Sequence, residues 1–537
     1  MKHVLKFLLS TSLVAITLVG CASYRPLAIS PLTTENLSAK TSELSEDQLK
    51  HWNHMDLDRD TVPGMSVDMA YDDIIQNKKG KTTLVAVIDS GIDIDHEDLR
   101  DVIWTNPNEI PNNGKDDDNN GYIDDIHGWN FLGDGYDEQL EYVRLLASGD
   151  TSNPRYDDAQ KEYERELKKY TMYKTQTDQI YLALTNADEA VSKYLNKSNY
   201  SKEDLENIKT DDSALEKQVG LLKYMFSYGF ESIADAIKDI QKDQNNINDR
   251  LDYNLNKDFK GRKTNDNIDD ITDIGYGNNN VKPVEEGEDH GTHVTGIIAA
   301  ERNNHIGIDG VANNVEIMAI RTVPNGDEYD KDVALAIRYA ADNGAKVVNM
   351  SFGKSYSPHS AWVRDAIAYA AKKDVLLVHA AGNDHLDLDK EFNFPNDQVD
   401  NGPEVADNVL TVGALAPHYD SKMVARYSNY GKINVDVFAP GSDIYSTTPN
   451  NNYESFNGTS MASPAVAGVA AMIRSQYPKL TASQVKHIIM DSGLLLTNKV
   501  EVGGNSNDME PFNDLSKSGK IVNLYNALIL ASKTNSL

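Results

Sequence analysis

The sequence contains only one cysteine, Cys21, among its 537 residues. A single cysteine excludes a disulfide within the chain, so the fold depends on packing, with bound metal as the other available cross-link. Basic residues are also few: 52 Lys and Arg stand against 83 Asp and Glu, which gives a formal net charge of −31. A field of this sign repels nucleic acid. We therefore expect no nucleic-acid partner, and cations as the ionic partners.

The chain also lacks a hydrophobic run that reaches the roughly 20 residues of a membrane-spanning helix. Lys2 and Lys6 precede an apolar stretch over residues 7–19, and this pattern predicts a signal peptide over residues 1–20. An uncleaved membrane anchor is the alternative. The tetrad "LVGC", which ends at Cys21, resembles the lipobox of bacterial lipoproteins. That resemblance implies cleavage before Cys21 and a lipid on its sulfur, whereas a buried free thiol is the alternative.

These features predict an exported protein, lipid-anchored to a bacterial membrane at its periplasmic or cell-surface face. The polar residues 21–51 are then a tether, and residues 52–537 form the main domain. Six continuous apolar runs follow, with helical patterns between them, for example over residues 331–343 and 359–373. The runs cover residues 82–89, 315–323, 346–353, 374–382, 408–415 and 434–441. Strands of this kind are covered on both faces, so we predict a doubly wound α/β fold with a mainly parallel sheet and helices on both faces.

One segment interrupts this alternation. Residues 136–255 are rich in Lys, Glu, Asp, Gln and Tyr, with apolar residues at helical spacing. They predict several amphipathic helices, one of which begins after a capping box formed by Ser201 and Asp204. No Gly/Pro-rich linker separates the segment from its surroundings, so we interpret it as a helical insertion. Its role is left open between control of access, partner binding and an inert elaboration.

The stretch "SFNGTSMASPAVAGVAA", residues 455–471, raises the question of a nucleophile. A serine hydroxyl needs a nearby base, a group that orients the base, and hydrogen-bond donors for the oxyanion that forms. "VAVIDSG" places Asp89 at the end of a predicted strand, and "DHGTHVTG" places His290 at the start of a predicted helix. Each fragment alone is ambiguous, because an Asp at a strand end is often a cap and a lone His is often structural.

Together, the three blocks in the order Asp, His, Ser resemble the subtilisin-like serine proteases. The resemblance implies that Asp89 orients the imidazole, that His290 is the general base and then the general acid, and that Ser460 attacks the scissile carbonyl. "VHAAGND" supplies Asn383 as the second oxyanion donor. Ser455, Ser463 and His293 are then structural.

The same resemblance assigns two strand edges to the substrate. Their residues are Ser351, Phe352, Gly353, Ala380, Ala381 and Gly382. The helix after Ser460 is expected to hold Pro464 in its first turn, where a missing N–H costs little. Two features depart from the family pattern. Asp89 and His290 are 201 positions apart because of the insertion, and residues 21–51 are short for a prodomain that assists folding, so we expect none.

A candidate calcium loop lies at "DDDNNGYID", residues 116–124. It matches the first nine positions of an EF-hand loop, with glycine at the sharp turn. The predicted ligands are Asp116, Asp118, Asn120, Tyr122 through its carbonyl, and Asp124. The twelfth position is His127, which is not a calcium ligand, so Asp124, Asp125 or water is left to complete the oxygen shell. A solvated Asn/Asp turn is the alternative. We predict bound Ca²⁺ because clustered carboxylates repel one another without a cation.

The resulting prediction is a lipid-anchored, exported serine endopeptidase that acts as a monomer on protein or peptide substrates through an acyl-enzyme. One alternative is a catalytically inactive binding lipoprotein with the same fold. Another is a different serine hydrolase, such as an esterase or a carboxyl-type peptidase. Those classes use a G-x-S-x-G elbow or an acid in place of the histidine, and neither pattern matches "HGTH" with "GTSMASP".

Overall fold

A computed structural model describes residues 26–34 and 42–535. The predicted signal peptide and Cys21 lie outside this range. The strands of the described part are β1 (Thr83–Asp89), β2 (Gly128–Asn130), β3 (Val315–Arg321), β4 (Val347–Met350), β5 (Leu376–Ala380), β6 (Val409–Leu415), β7 (Val437–Pro440), β8 (Ile444–Thr448), β9 (Asn452–Phe456), β10 (Leu494–Leu495), β11 (Lys499–Val502), β12 (Asn505–Pro511) and β13 (Lys520–Ile521).

The helices of the same ranges are α1 (Glu46–His51), α2 (Val67–Ala70), α3 (Glu141–Ser148), α4 (Tyr156–Leu195), α5 (Lys202–Glu206), α6 (Ser213–Ser227), α7 (Ile233–Asp249), α8 (His290–Ala299), α9 (Asp330–Asp342), α10 (Ser360–Lys372), α11 (Thr459–Gln476), α12 (Ala482–Ser492) and α13 (Leu524–Thr534). Each of the six predicted apolar runs contains a strand, and the two predicted helices match α9 and α10 to within one residue. Within the described residues, none of these helices is long and apolar enough to cross a membrane.

Nine strands form one sheet in the order β10-β13-β7-β6-β5-β4-β1-β3-β2. All neighbours in this sheet are parallel except β10 and β13. Successive residues of β1 point to opposite faces. Val85 and Val87 pack into a core with α8, α11, α12 and α13, whereas Ala86 and Ile88 pack into a second core with α9 and α10. The predicted doubly wound α/β fold is thus confirmed, and the two-sided cover explains why the strand sequences do not alternate.

The N-terminal residues that the structure describes are packed on this domain. The Leu27 N–H donates to Ser532 Oγ at 3.0 Å, and the Leu32 N–H donates to Asn526 Oδ1 at 2.7 Å, both on α13. Ser45 begins α1 with a capping box. The predicted tether, residues 21–51, therefore includes two stretches that lie against the domain, because their apolar side chains pack on the main core.

The interrupting segment is helical, as its amphipathic pattern predicts, and contains α3 to α7. The capping box of Ser201 and Asp204 begins α5. Two small cores hold the segment together. One joins α3 and the start of α4 to Tyr356 of the main domain. The other lies among α4, α5, α6 and α7 and includes Leu184, Val219 and Ile233, so the outer helices have a core of their own.

Candidate active site

The parallel sheet brings the predicted catalytic residues to one edge. Asp89 is the last residue of β1, and Asn383 follows the end of β5. His290 is the first residue of α8, and Ser460 is the second residue of α11. His290, Asn383 and Ser460 line one open cleft. This cleft lies at the carboxyl ends of the strands, where α/β sheets place their ligands.

Asp89 and His290 form the strongest contact in the cleft. His290 Nδ1 lies 2.6 Å from Asp89 Oδ1, and Asp89 is buried. Because a carboxylate only accepts hydrogen bonds, Nδ1 carries the proton and Nε2 is left as the basic nitrogen. Burial acts to lower the pKa of His290, but the Asp89 charge and hydrogen bond outweigh it and raise that pKa above its ordinary value.

A buried ion pair helps to fix the segment that carries Asp89 to the segment that carries His290. The sequence analysis did not predict this pair. Glu288 pairs with Arg321, and neither side chain is exposed. Glu288 Oε1 also accepts the Gly91 N–H at 2.8 Å, while Ser90 Oγ accepts the Gly291 N–H at 3.0 Å. The segments that carry Asp89 and His290 are therefore fixed to each other. The acidic residue next to "DHGTH" was the only sequence signal of this pair.

Ser460 is positioned by Ser351. Its Oγ donates to the Ser351 carbonyl at 3.1 Å, and Ser351 Oγ donates to the Ser460 carbonyl at 2.8 Å. The expectation for Pro464 is wrong, because α11 begins at Thr459 and Pro464 lies in the second turn. Its missing N–H is the one that would bond the Ser460 carbonyl. The Ser351 hydroxyl donates to the Ser460 carbonyl instead, and so compensates for the N–H that Pro464 lacks.

The Asn383 amide is oriented by the residue before Ser460. Asn383 Oδ1 accepts the Thr459 N–H at 2.8 Å and the Thr459 hydroxyl at 3.0 Å. Its Nδ2 is thereby left as a donor on the other side. A Cβ on Gly458 would stand 3.4 Å from that nitrogen, so glycine keeps side-chain atoms away from the donor. Thr459 is a second functional residue that the sequence analysis missed.

The remaining polar residues of the three motifs have structural contacts. Ser463 Oγ donates to Asn349 Oδ1 at 2.8 Å, and both are buried. His293 Nε2 lies 3.1 Å from the Glu454 carbonyl, and its ring stacks on Phe456 at 4.2 Å. Burial lowers the pKa of His293 to about 3, so the ring is neutral. Ser455 lines the cleft.

The two predicted substrate edges face each other across a polar side chain. Asn393 Nδ2 donates to the Ala381 carbonyl at 3.0 Å, and a Cβ on Gly353 would stand 3.0 Å from Asn393 Oδ1. Gly382 has φ +100°, which side chains rarely adopt. Residues 351–353 follow β4, and residues 380–382 end β5 and continue beyond it. Asn393 therefore lies beside both edges.

The insertion packs directly beside the first of these edges. Lys354 Nζ lies 2.8 Å from Glu141 Oε2 of α3. Arg155, just before α4, donates to the Ser355 carbonyl at 2.5 Å, and its guanidinium lies 3.8 Å from the centre of the Tyr356 ring. Residues 354–356, which follow the predicted substrate edge, thus contact Glu141 and Arg155 near the start of the insertion.

Charged groups of the insertion also act on the residues next to Asn383 and His290 in the sequence. Burial raises the pKa of Asp384, next to Asn383, and the Arg250 charge partly offsets that rise. Burial likewise raises the pKa of Asp289, next to the predicted catalytic histidine, and Lys242 of α7 is among the cations that counter it. Arg250 and Lys242 of the insertion thus act on acids that adjoin two residues of the cleft.

The acidic loop brings together a different set of oxygens from the predicted one. Carboxylate oxygens of Glu109, Asp118 and Asp125 lie within 4.8 Å of one another. Glu109 Oε2 is buried and has no hydrogen-bond partner within the described ranges. Burial raises the pKa of Asp125 to about 6 despite its hydrogen bond from Tyr339. A buried acceptor without a donor, beside two further carboxylates, fits a hard cation.

Of the predicted calcium ligands, only Asp118 contributes a carboxylate to this cluster. Asp116 accepts the N–H groups of Asn120 and Gly121, and Asp124 accepts those of Asn113 and Gly114. The Asn120 amide donates to Asp118 and Asp125, and the Tyr122 ring is buried. The EF-hand spacing is therefore satisfied by turn hydrogen bonds. Asp125, an alternative ligand in the sequence analysis, does lie in the cluster, whereas Glu109 was missed because it lies outside the matched positions.

A buried Asp–His pair beside a serine at a helix N-terminus is the arrangement of serine hydrolases. The family model described as "Subtilase family" matches residues 80–514, which is most of the chain. The protein belongs to the subtilase family, as its three motifs indicated.

Several curated relatives show the same relationship over the parts that they share. "Thermophilic serine proteinase" of Bacillus sp. (strain AK1) is 46% identical over 188 residues, which are 35% of this chain and 43% of that protein. "Subtilisin DY" of Bacillus licheniformis is 39% identical over 203 residues, or 38% of this chain and 69% of that one. "Thermitase" of Thermoactinomyces vulgaris is 41% identical over 193 residues, or 36% and 63%. The matched segments thus span about half to two thirds of these relatives.

Proposed function

We propose that the protein is a serine endopeptidase that hydrolyses peptide bonds in protein or peptide substrates through an acyl-enzyme. The observation that carries this proposal is the contact of 2.6 Å between Asp89 and His290, in a cleft that also holds Ser460 and Asn383. The test is hydrolysis of a peptide library by the purified protein, with Ser460→Ala as the control. A library left intact by the parent protein would reject the proposal.

The reaction begins when Ser460 Oγ turns from the Ser351 carbonyl toward His290. The serine proton moves to His290 Nε2, and Oγ attacks the carbonyl carbon of the substrate. The oxyanion accepts hydrogen bonds from Asn383 Nδ2 and from the backbone N–H of Ser460 at the N-terminus of α11. The C–N bond then breaks, and His290 gives its proton to the leaving amine. Water attacks the ester by the same route, which releases the acid and restores the serine.

The inactive binding lipoprotein remains the alternative proposal. An inactive relative is expected to have lost at least one of the four residues proposed for catalysis, and this chain has all four. Thr459 also orients Asn383, and Ser351 orients Ser460. Peptide turnover decides between the two. The esterase and carboxyl-peptidase alternatives are disfavoured, because His290 stands where a carboxyl-type enzyme has an acid and the chain belongs to the subtilase family.

Export and lipid anchoring through Cys21, with the protein as a monomer, complete the proposal. We expect Cys21→Ala to move the protein from the membrane fraction to the soluble fraction, or to leave the precursor uncleaved, because a lipobox cysteine carries more than one acyl chain and one chain alone binds marginally. Cell fractionation with mass determination of the mature protein measures both effects. Normal processing together with an unchanged distribution would contradict the anchor.

Subtilases commonly carry structural calcium, and we propose Ca²⁺ at Glu109, Asp118 and Asp125. We expect a calcium-selective chelator to lower the thermal midpoint, since a ligand of the folded state stabilises it by mass action. Glu109→Gln should shrink the difference between calcium-loaded and chelated midpoints. Asp116→Asn is the matched control and should keep the difference, because Asp116 bonds only backbone N–H groups of its turn. If Asp116→Asn shrinks the difference and Glu109→Gln keeps it, the result would favour the EF-hand ligand set instead.

We further propose that the insertion limits access to the cleft. Lys174 Nζ donates to Asn248 Oδ1 at 2.6 Å, so the chain ends left by removing residues 175–246 lie side by side. Replacing these residues with a short Gly/Ser linker should raise kcat/KM for a folded protein substrate several-fold and leave that for a small peptide nearly unchanged. An unchanged ratio of the two constants in a folded, active variant would contradict gating.

Lys242→Ala, with Lys238→Ala as its control on the same helix, tests the charge that acts on Asp289.

A further inference from the structure

A group of three metal-ligating side chains lies far from the catalytic residues in sequence. Ligand atoms of His51, His54 and Asp68 all fall within 4.8 Å of one another. We call this group the N-terminal histidine cluster. His51 Nε2 lies 2.7 Å from Asp68 Oδ2, and the rings of His51 and His54 lie 4.9 Å apart. The arrangement has a local cause: residues 52–54 form a 3₁₀ turn, in which side chains three positions apart lie one above the other.

The second observation is the state of His54. Its side chain is almost fully buried, at 2% exposure, and its Nδ1 has no hydrogen-bond partner among the residues that the structure describes. Other buried histidines each bond a backbone carbonyl through one ring nitrogen: His96 that of Asn452, His293 that of Glu454 and His379 that of Phe352. His293 Nδ1 is also unpartnered in the described part of the chain, but its Nε2 is bonded. A buried polar group without a partner is costly. His54 therefore has unused coordinating capacity, which distinguishes it from a histidine that merely packs.

An open space adjoins the cluster. A cavity of about 400 Å³ is lined by His51 and His54 on one side and by residues 303–309, including His305, on the other. Ile297 of α8 also lines it. The cavity has room for water or a further ligand beside the histidines. The nearest lysine of its wall, Lys50, is paired with Glu46 at 2.6 Å, so its charge is already compensated.

We propose that His51, His54 and Asp68 bind a first-row transition metal ion, with Zn²⁺ as the reference. Two imidazoles and one carboxylate suit zinc and its neighbours, whereas calcium and magnesium prefer shells of oxygen. Three protein ligands leave a fourth position for water or a further ligand, and the adjoining cavity has room for one. This site is separate from the carboxylate cluster of Glu109, and it does not depend on the proposed peptidase activity.

The bound ion joins the N-terminal segment to α2 at a wall of α8, the helix that begins with His290. Its effect is structural: it fixes residues 51–54 against the domain, next to the loop that follows the catalytic helix. Metal bound only by the folded chain stabilises that chain by mass action. The site therefore ties the N-terminal segment to the part of the fold that carries the general base.

The test is titration of the full chain with Co²⁺ in saturating calcium, followed by the visible absorption of the bound cobalt and by competition with Zn²⁺. We expect one Co²⁺ per chain with the bands of a nitrogen- and oxygen-ligated site. Asp68→Asn and His51→Gln should each weaken binding at least ~10-fold. These two positions are partly exposed, so they decide the matter even if His54→Leu does not fold.

Two matched controls separate this site from other histidines. His487→Gln alters a surface histidine that also contacts a carboxylate, Asp407, at 3.0 Å but has no second imidazole, and it should leave cobalt binding unchanged. His290→Ala removes the catalytic imidazole and should also leave it unchanged. The proposal is overturned if the parent chain binds no Co²⁺, if Asp68→Asn and His51→Gln bind as tightly as the parent, or if only His290→Ala loses the metal.

Discussion

Ser460→Ala is expected to remove nearly all peptidase activity while leaving the fold intact. The loss in kcat should be on the order of 10⁶, the size found when subtilisin loses its serine. The variant removes only the hydroxyl, whose partner within the described residues is the Ser351 carbonyl. That carbonyl is free to bind water or substrate. The second bond of the pair, from Ser351 Oγ to the Ser460 backbone, is retained.

The measurement is kcat on a peptide substrate, with the thermal midpoint of each protein as the check on folding. Ser455→Ala is the matched control, because Ser455 lines the same cleft but lies on strand β9 and not at the N-terminus of a helix. It should keep most of the activity. Substantial turnover by purified Ser460→Ala, or an equal loss in Ser455→Ala, would remove Ser460 from its proposed role.

The sequence predicted the sheet well because burial on both faces leaves a direct trace in composition. A strand such as β7, buried at every position, is apolar throughout, and its length is limited by the turns that follow. The helices α9 and α10 were predicted for the same reason. The register of the strands and the packing of residues 26–34 on α13 were not predictable, because they depend on contacts between residues several hundred positions apart.

The residues that we propose as catalytic could be singled out because each lies in a short motif with its own local geometry. Their supports could not, since they are spread over the chain. Arg321, at the end of β3, reaches Glu288 only because the sheet sets β3 beside β1. Pro464 shows the limit of local rules, because its position in the helix depends on where α11 begins. The hydroxyl that donates to the Ser460 carbonyl in place of the missing N–H belongs to Ser351, the residue after β4.

The acidic loop shows how a sequence pattern can satisfy two different structures. The spacing of Asp116, Asp118 and Asn120 fits an EF-hand, but the same spacing also fits Asx turns, and the backbone N–H groups nearby take up Asp116 and Asp124. Glu109 precedes the motif, and its approach to the loop is a tertiary contact. A motif of this kind therefore predicts the presence of a cation site more reliably than it predicts the ligands.

Asp89→Asn is expected to lower kcat by about 10⁴. Asp89 Oδ1 accepts both the Ser90 N–H at 2.8 Å and the His290 Nδ1–H at 2.6 Å. An asparagine that keeps these two bonds must place its NH₂ group at the position of Oδ2, which is buried and has no partner in the described part of the chain. In the opposite orientation the NH₂ group faces the Ser90 N–H and the His290 Nδ1–H, which are themselves donors. In both cases a neutral amide replaces the charge that stabilises the imidazolium in the transition state.

The same variant should change the pH dependence in a defined direction. His290 acts as a base only when neutral, so activity rises with pH through its pKa. Burial lowers that pKa, while the charge and hydrogen bond of Asp89 raise it above the ordinary value. Without the Asp89 charge, burial dominates, and the acid limb of kcat/KM should move to lower pH as the maximum falls. Asp289→Asn is the matched control: Asp289 also raises the pKa of His290, but weakly and through space alone. It should shift the limb slightly and keep most of the activity. An unshifted limb in Asp89→Asn, measured on a folded variant, would show that Asp89 does not set the basicity of His290.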